Sequence, residues 1–303
     1  MSNVHQDAIK QFLSLMGNVD EQMKATFQNM HHGYTTETLV RFLKARDWNV
    51  PKAHKMLTDC LQWRIQNEID NILAKPIVPN DRYRAVRDSQ LVGLSGYSKE
   101  GLPVIAIGVG LSTYDKASVN YYVQSHIQMN EYRDRVLLPT ATEKYGRHIS
   151  TCLKVLDMTG LKLSALNQIK AVKPLLQERT KRKIQVLQGS GKDELLKIMD
   201  YQSLPHFCRK EGSGSARHSS NGTGDNCFSL DHAYHQELYS YVKQQATLKE
   251  TGSPVKEGSV HVEFPEPDPD DTKIALTIES EFHKLADHNG LCNSMNGLKV
   301  NGK

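Results

Sequence analysis

The densest run of charge in this chain lies at residues 173–183, where five lysines and arginines occur with a single acid, Glu178. An apolar face formed by Val172, Leu175 and Leu176 leads into this run. A helix that is apolar on one side and ends in clustered cations suits an anionic headgroup or a membrane surface. Clustered cations are also typical of a solvated helix end, where they complement the helix dipole. The run alone leaves both interpretations open.

A second candidate for chemistry is Gln188-Gly-Ser-Gly-Lys192, which has the glycines and lysine of a phosphate-binding loop. A P-loop also needs an earlier glycine and a Ser or Thr after the lysine. Those two positions hold Val186 and Asp193, so both requirements fail. The glycines are instead typical of a turn before a helix.

Other enzyme signatures are incomplete. Gly108-Val-Gly110 lacks the third glycine of a dinucleotide-binding loop, no serine sits in a G-x-S-x-G elbow, and the 13 histidines form no H-E-x-x-H. Asp157 ends a predicted strand but has no nucleophile or base at motif distance. We therefore predict no enzyme, no metal site and no cofactor.

Composition is that of a soluble globular protein, with 38% hydrophobic and 24% charged residues in 303. The longest apolar run, 102–111, is far shorter than the ~20 residues of a membrane helix, and the first thirty residues contain no signal core. The five cysteines are scattered and odd in number, which favours reduced thiols in the cytosol. Any membrane contact is therefore expected to be peripheral.

The charged residues are distributed unevenly along the chain. Residues 251–303 carry 5 Lys against 9 Asp and Glu, so the rest of the chain has a balance of +8. Because the end of the chain is rich in Pro and acid and then in Asn, Gly and Ser, we predict a flexible acidic tail over 249–303.

Residues 1–75 predict a small bundle of three amphipathic helices. The third helix is expected to begin at Pro51, which suits a first turn, and the second to be capped by Thr35 or Thr36. Apolar positions repeat with helical spacing. The expected core residues are Ile9, Phe12, Leu13 and Met16, then Leu39, Phe42 and Leu43, then Met56, Leu57, Cys60 and Trp63.

Residues 76–248 predict an α/β domain, because strands alternate with helices. The expected strands cover 104–109, 153–158 and 184–187. A long helix is expected from Ala117 to Leu138, ended by Pro139, and further helices start near Leu161 and cover 231–245. Residues 211–226 are expected to be a flexible loop.

Several segments in order resemble a known family. Residues 39–50, with Trp63-Arg64 after them, resemble the helical N-terminal module of CRAL-TRIO proteins. Five later segments resemble the lipid-binding domain of that family. They are Leu156-Asp-Met-Thr-Gly160, Lys173-Pro-Leu-Leu176, Lys183-Ile-Gln-Val-Leu187, Glu194-Leu-Leu-Lys197 and Leu204-Pro-His-Phe-Cys208. The chain is similar, over roughly residues 35–245, to the Sec-fourteen-like phosphatidylinositol/phosphatidylcholine transfer proteins, in a plant-like form.

The resemblance implies a cavity that holds one phospholipid beneath a mobile gate helix. By position, Arg46, Thr180 and Lys183 match the family's inositol-phosphate contacts, and Lys173, Leu175 and Leu176 fall on the gate helix. Cations neutralise a phosphate and a threonine hydroxyl donates a hydrogen bond to it.

Two departures from the family pattern affect this expectation. A hydroxyl pair that some members use for choline falls on Cys152 and Lys154, so phosphatidylinositol is the firmer ligand and phosphatidylcholine the less secure one. In addition, about 30 residues, one βαβ increment, are absent between Lys170 and Lys173, together with the acid that pairs with the headgroup lysine. Pro174 argues against one continuous helix across this junction.

The first hypothesis is therefore a monomeric, non-enzymatic protein that binds phosphatidylinositol, with phosphatidylcholine as the less secure second ligand, and has no nucleic-acid partner. It would be cytoplasmic and peripheral on anionic Golgi or plasma membranes. The second is a shortened, non-transferring adaptor. A phosphate-handling enzyme is the third, resting only on Gly189-Ser-Gly-Lys192.

Overall fold

The computed structural model describes residues 3–161, 182–209 and 226–249. The chain begins with four helices rather than the three expected. They are α1 (Asn3–Gly17), α2 (Glu21–His31), α3 (Thr35–Ala45) and α4 (Val50–Gln66). Only Thr26 and Phe27 are buried on α2, so its apolar stripe is too narrow to mark a helix in the sequence.

Side-chain caps fix the starts of two of these helices. The Asp20 carboxylate accepts the backbone N–H of Met23 at 2.8 Å, and the Asn49 side chain accepts that of Lys52 at 3.0 Å. Pro51 lies in the first turn of α4, as expected. The predicted cap of α3 was wrong, because Tyr34 occupies the cap position without a side-chain bond and Thr35 is the first helical residue.

The four helices close around one apolar core. Phe12, Leu39, Leu43, Leu57 and Leu61 are completely buried in it. Leu13 was expected there, but it is 51% exposed, and Met56, Cys60 and Trp63 are only partly buried. The buried stripe is thus narrower than the apolar pattern suggested.

A 3₁₀ helix (Ile69–Ala74) and α5 (Asn80–Ser89) lead from the bundle into a three-stranded sheet. The strands are β1 (Val92–Tyr97), β2 (Pro103–Gly108) and β3 (Leu153–Asp157), in the order β1-β2-β3. β1 pairs with β2 antiparallel and β2 with β3 parallel. The sequence did not predict β1, because Gly93 and Gly96 interrupt its apolar pattern and the register shifts beside Gly96.

The helix predicted to end at Pro139 does not end there. It runs as α6 (Val119–Tyr132), a π-helical turn (Arg133–Leu137) and α7 (Leu138–Tyr145). In the π turn the N–H of Leu138 bonds to the carbonyl of Arg133, five residues back. A π turn widens the backbone just before Pro139, so the ring that would interrupt a regular helix fits the first turn of α7.

The strand predicted at 184–187 was also wrong. This segment has no regular structure, and Ile184 and Val186 are 53% and 82% exposed. A glycine turn then leads into a helix, as expected: Gly189 and Gly191 have φ of 60° and 66°. The remaining helices are α8 (Lys192–Leu196), a 3₁₀ turn (Tyr201–Ser203), α9 (His206–Arg209) and α10 (Ala233–Lys249).

The sheet is covered by helices on both faces near β1 and β2. One cover consists of α8, α9 and the segment around Phe228, and the other of α6, α10 and the 3₁₀ helix. The predicted mixture of a helical module and an α/β region is therefore confirmed. The boundaries at residues 75 and 248 stay predictions, and the helix from Leu161 and the acidic tail lie outside the described residues.

None of the helices in the described ranges is long and apolar enough to cross a bilayer. The four cysteines in these ranges, Cys60, Cys152, Cys208 and Cys227, are thiols.

Candidate functional site

One face of the sheet becomes more exposed from β1 to β3. On this face Ile105 of β2 pairs with Lys154 of β3, and Ile107 pairs with Leu156. The β1 residues in the same rows pack against the cluster formed by α6, α10 and the 3₁₀ helix. At the far end of the rows Leu156 is 52% exposed and Lys154 is also exposed. We call Ile107, Lys154 and Leu156 the β3 shelf.

Lys154 of the β3 shelf lies within electrostatic range of a histidine on α6. His126 of α6 interacts electrostatically with both Lys154 and Arg133, the first residue of the π turn. Burial lowers the pKa of His126, and the positive charges of Lys154 and Arg133 lower it further. Arg133 is balanced by Asp134, whose carboxylate lies 2.6 Å from Nε. Lys154 has no such ion pair within the described ranges.

Arg46, the first predicted headgroup residue, lies on the helical module. It caps the C-terminus of α3, and its Nη1 donates to the carbonyl of Ala45 at 3.3 Å. The next two residues, Asp47 and Trp48, have φ of 50° and 63°, an arrangement that costs about 1–2 kcal/mol for each residue that is not glycine. The ring of Trp48 stacks on His5 at 3.7 Å, which helps to hold this turn.

The other predicted headgroup contacts are placed only in part. Lys183 is exposed in the irregular segment that precedes α8. Thr180 and the gate-helix residues Lys173, Leu175 and Leu176 lie outside the described residues. The grouping of Arg46, Thr180 and Lys183 around a headgroup therefore stays a prediction.

A buried ionic cluster joins the helical module to the sheet region, and it was not among the residues predicted from the sequence. Arg64 of α4 donates from Nη1 and Nη2 to the two carboxylate oxygens of Glu131 on α6, at 2.8 and 2.9 Å. Arg64 also donates to Asp70 at 2.8 Å, and Arg135 of the π turn donates to Glu131 at 2.9 Å. Burial alone would lower the pKa of Arg64, but the hydrogen bonds and charges of Glu131 and Asp70 raise it.

The signal for this cluster was present in the sequence. The buried residues of α4 are Val50, Ala53, Leu57, Leu61 and Arg64, so an arginine occupies the last position of an apolar stripe. A cation on a buried stripe requires a carboxylate partner from elsewhere in the fold. The sequence alone does not show which carboxylate that is.

A second buried polar group links α5 to α10. Arg87 is 1% exposed, and its Nη2 lies 2.8 Å from Nδ1 of His235. Because a guanidinium only donates, Nδ1 accepts this bond, and Nε2–H donates to the carbonyl of Cys227 at 2.9 Å. Burial, followed by the charge of Arg87, lowers the pKa of His235 well below its usual value. The imidazole is therefore neutral and held in one tautomer.

A cysteine and a histidine also lie together, with Sγ of Cys227 3.6 Å from Nδ1 of His206. A nucleophilic cysteine needs a lowered pKa so that the thiolate forms. Burial instead raises the pKa of Cys227 to about 12. This pair is therefore not an activated nucleophile. Within the described ranges, no three His, Cys, Asp or Glu side chains are grouped to hold a metal ion.

A small cleft lies beside the ionic cluster, between the 3₁₀ helix, Arg135 and the end of α10. Its volume is about 110 Å³. Sites for drug-sized ligands occupy roughly 300–1,000 Å³. The cleft is therefore too small for a phospholipid, and the β3 shelf is the better candidate surface.

Comparison with known proteins adds to this geometry. Residues 8–59, which include α2, α3 and most of α1 and α4, match the family described as CRAL/TRIO, N-terminal domain. The predicted resemblance is confirmed. The helical module is therefore similar to this N-terminal domain.

Similarity to curated proteins extends beyond this module. The chain is 26% identical to the phosphatidylinositol/phosphatidylcholine transfer protein SFH9 of Arabidopsis thaliana, over 58% of this chain and 38% of that protein. It is 24% identical to SFH11, over 62% of each, and 25% identical to SFH12, over 73% of this chain and 46% of that protein. Both are also phosphatidylinositol/phosphatidylcholine transfer proteins of Arabidopsis thaliana. The chain thus matches 38–62% of the length of these relatives.

Proposed function

We propose that this protein is a non-enzymatic phospholipid-binding protein that carries phosphatidylinositol, with phosphatidylcholine as a second and less secure ligand, between membranes or presents it to lipid-modifying enzymes. The observation that carries the proposal is similarity to phosphatidylinositol/phosphatidylcholine transfer proteins over more than half of the chain. An exposed apolar shelf with cations at its edge is consistent with a ligand that has an apolar body and an anionic head.

In this proposal Arg46, Thr180 and Lys183 hold the inositol phosphate, and the segment with Lys173, Leu175 and Leu176 acts as the gate. The protein works as a monomer in the cytoplasm and contacts anionic Golgi or plasma membranes peripherally. Clustered lysines and arginines favour such surfaces by about 1 kcal/mol per cation.

The test is lipid loading. Native mass spectrometry of the purified protein should detect one co-purifying phospholipid. A charge-assisted contact contributes roughly 1.5–3 kcal/mol, so Lys183→Ala should weaken phosphatidylinositol loading about tenfold or more. Lys52→Ala, which removes an exposed cation from α4, serves as the control. Equal loading in both variants removes Lys183 from the site, and a bare wild-type chain contradicts the function.

A second candidate function is a non-transferring adaptor. It is favoured by the exposed segment 184–187, where a strand was expected, and by the half-exposed Leu156 of β3. We propose that about one βαβ unit is missing near residue 170, so that the sheet region lacks part of the lipid cavity. A version with the missing segment restored should melt at a higher temperature and transfer more lipid between vesicles. Equal melting and equal transfer would contradict the shortened-domain proposal.

A further inference from the structure

The two buried arginines of this protein differ in how their charges are compensated. Arg64 has two carboxylate partners, Glu131 and Asp70, each at 2.8 Å. Arg87 is 1% exposed, yet no Asp or Glu of the described residues forms an ion pair with it. A guanidinium remains charged in proteins, and an unpaired charge in a buried site is strongly unfavourable. The charge of Arg87 therefore needs a partner that these carboxylates do not supply.

The hydrogen-bond partners of Arg87 are neutral. Its Nη2 donates to Nδ1 of His235 at 2.8 Å, and its Nη1 donates to the hydroxyl of Ser125 at 3.4 Å, a long bond. The Ser125 hydroxyl gives its own proton to Oε1 of Gln90 at 3.1 Å. These groups accept hydrogen bonds from the guanidinium, but none of them carries a negative charge.

Arg87 and Tyr83 lie side by side at the contact between α5 and α10. They are four residues apart on α5, so their side chains share one face of the helix. His235 and Tyr239 have the same spacing on α10. The rings of Tyr83 and Tyr239 lie 4.9 Å apart and Arg87 contacts His235, so these two faces meet.

Two buried donors at this contact lack an acceptor. Among the described residues, neither Nε of Arg87 nor the hydroxyl of Tyr83 has a hydrogen-bond partner. Burial raises the pKa of Tyr83, and the charge of Arg87 opposes this rise, as expected for neighbouring groups. A guanidinium N–H directed at the hydroxyl oxygen would still leave the hydroxyl proton without an acceptor. One uncompensated cation and two unused donors are the features of an anion site.

We propose that a small monovalent anion of the chloride class binds between α5 and α10, where Nε–H of Arg87 and the hydroxyl of Tyr83 donate to it. A water molecule could accept both bonds, but it would leave the charge of Arg87 uncompensated. A phosphate or sulfate has four oxygens and needs more donors than these two. The anion thus neutralises Arg87 and helps to hold α10 against α5. This site goes beyond the proposed function and does not depend on it.

The first experiment measures thermal stability in sodium chloride and in sodium sulfate at equal ionic strength. An ion that binds only the folded protein raises the melting temperature as its concentration increases. Sulfate is the control salt, because it strengthens apolar burial without needing a site. Chloride should raise the melting temperature by several degrees more than sulfate does. A melting temperature that rises no more in chloride than in sulfate would overturn the proposal.

Three variants assign the chloride effect to the site. Arg87→Met removes the charge with little change in volume and should abolish the extra stabilisation by chloride. Tyr83→Phe removes one donor but keeps the ring, so it should fold and bind chloride about tenfold more weakly. Arg84→Met, which changes an exposed arginine on the same helix, is the matched control and should keep the full effect. An equal chloride effect in Tyr83→Phe and Arg84→Met would remove this site.

A second measurement detects the bound anion directly. The NMR line width of chloride should increase in the presence of the folded protein, and added bromide should reverse the broadening by competition. Tyr83→Phe should broaden the chloride signal much less than Arg84→Met does. Equal broadening by these two variants overturns the proposal. A loss of stability in Tyr83→Phe that is the same in chloride and sulfate would indicate a bound water and would also overturn it.

Discussion

The helical module and the three-stranded sheet region differ in how completely they bury their apolar side chains. Leu39, Leu43 and Leu57 in the module are fully buried, whereas Leu156 on β3 is 52% exposed and Val186 is 82% exposed. A helix satisfies its backbone hydrogen bonds within itself, but a strand needs a neighbour. The module therefore depends on a short local sequence. The sheet depends on segments far apart in the chain, and losing one of them leaves its neighbours uncovered.

The largest expected effect comes from the contact between the two regions. Glu131→Ala leaves Arg64 buried beside Asp70 alone, and removing one partner of a buried ion pair costs about 3–5 kcal/mol of unfolding free energy. Urea denaturation followed by circular dichroism measures this loss. The double variant Arg64→Met/Glu131→Leu should lose less, because neither charge is left alone. A loss below about 1 kcal/mol in Glu131→Ala would show that the cluster contributes no more than a surface ion pair.

The core of the module should respond strongly to a cavity. Leu57→Ala removes a completely buried side chain and should lower the free energy of unfolding by about 2–5 kcal/mol. Leu13→Ala is the matched control, because Leu13 is 51% exposed on α1; its loss should be much smaller. Similar losses for both variants would contradict the packed core described for this module.

Acid should weaken the sheet region through His235. Its pKa is lowered in the folded protein, so the unfolded chain binds the proton more tightly. The contribution of His235 is fully present above the unfolded pKa of about 6.5 and falls by about 1.4 kcal/mol per pH unit below it. Denaturation curves from pH 7.5 down to 5 measure this slope. His235→Gln should flatten it, whereas His31→Gln on the helical module should change it less, and an unchanged slope in His235→Gln would contradict the assignment.

The smallest effect is expected on the β3 shelf. Leu156→Thr places a β-branched residue, which suits a strand, at an exposed position and should change the free energy of unfolding by no more than about 0.5 kcal/mol. Val104→Thr, at a fully buried position of β2, is the comparison and should be clearly destabilising. Thermal melts of the two variants distinguish these cases. A large loss for Leu156→Thr would mean that β3 is more tightly covered than its exposure indicates.

Prediction from the sequence was also more successful for the helical module than for the sheet region. The helical core was anticipated through Leu39, Leu43 and Leu57, and the β2 and β3 segments through their apolar runs. β1 was missed because its glycines hide the strand pattern, and 184–187 was predicted as a strand although it has no regular structure. A strand forms only when another segment pairs with it, and the sequence of the strand itself does not identify that segment.

Site residues divide in a similar way. The family resemblance predicted Arg46 and Lys183 as headgroup contacts from their positions in the motifs. The spacing of these residues in the sequence does not show whether they lie together in the fold. Lys154 was noted as a departure from the family's hydroxyl pair, and the register on β3 shows that it stands beside an apolar row. The partners of Arg64 and Arg87 come from residues 67 and 148 positions further along the chain, so local patterns cannot reveal them.

The π turn between α6 and α7 has a consequence for how this protein can change by insertion or deletion. A π turn holds one more residue than an α turn, and each residue of a regular helix rotates the next by about 100°. Deleting one residue from 133–137 would convert the turn to a regular helix. The side chains that follow would then point in different directions around the helix axis. Arg133, which faces Cys152, and Arg135, which faces Glu131, could then no longer both keep their partners. The extra residue thus lets Arg133 and Arg135 contact different neighbours, Cys152 beside β3 and the buried ionic cluster.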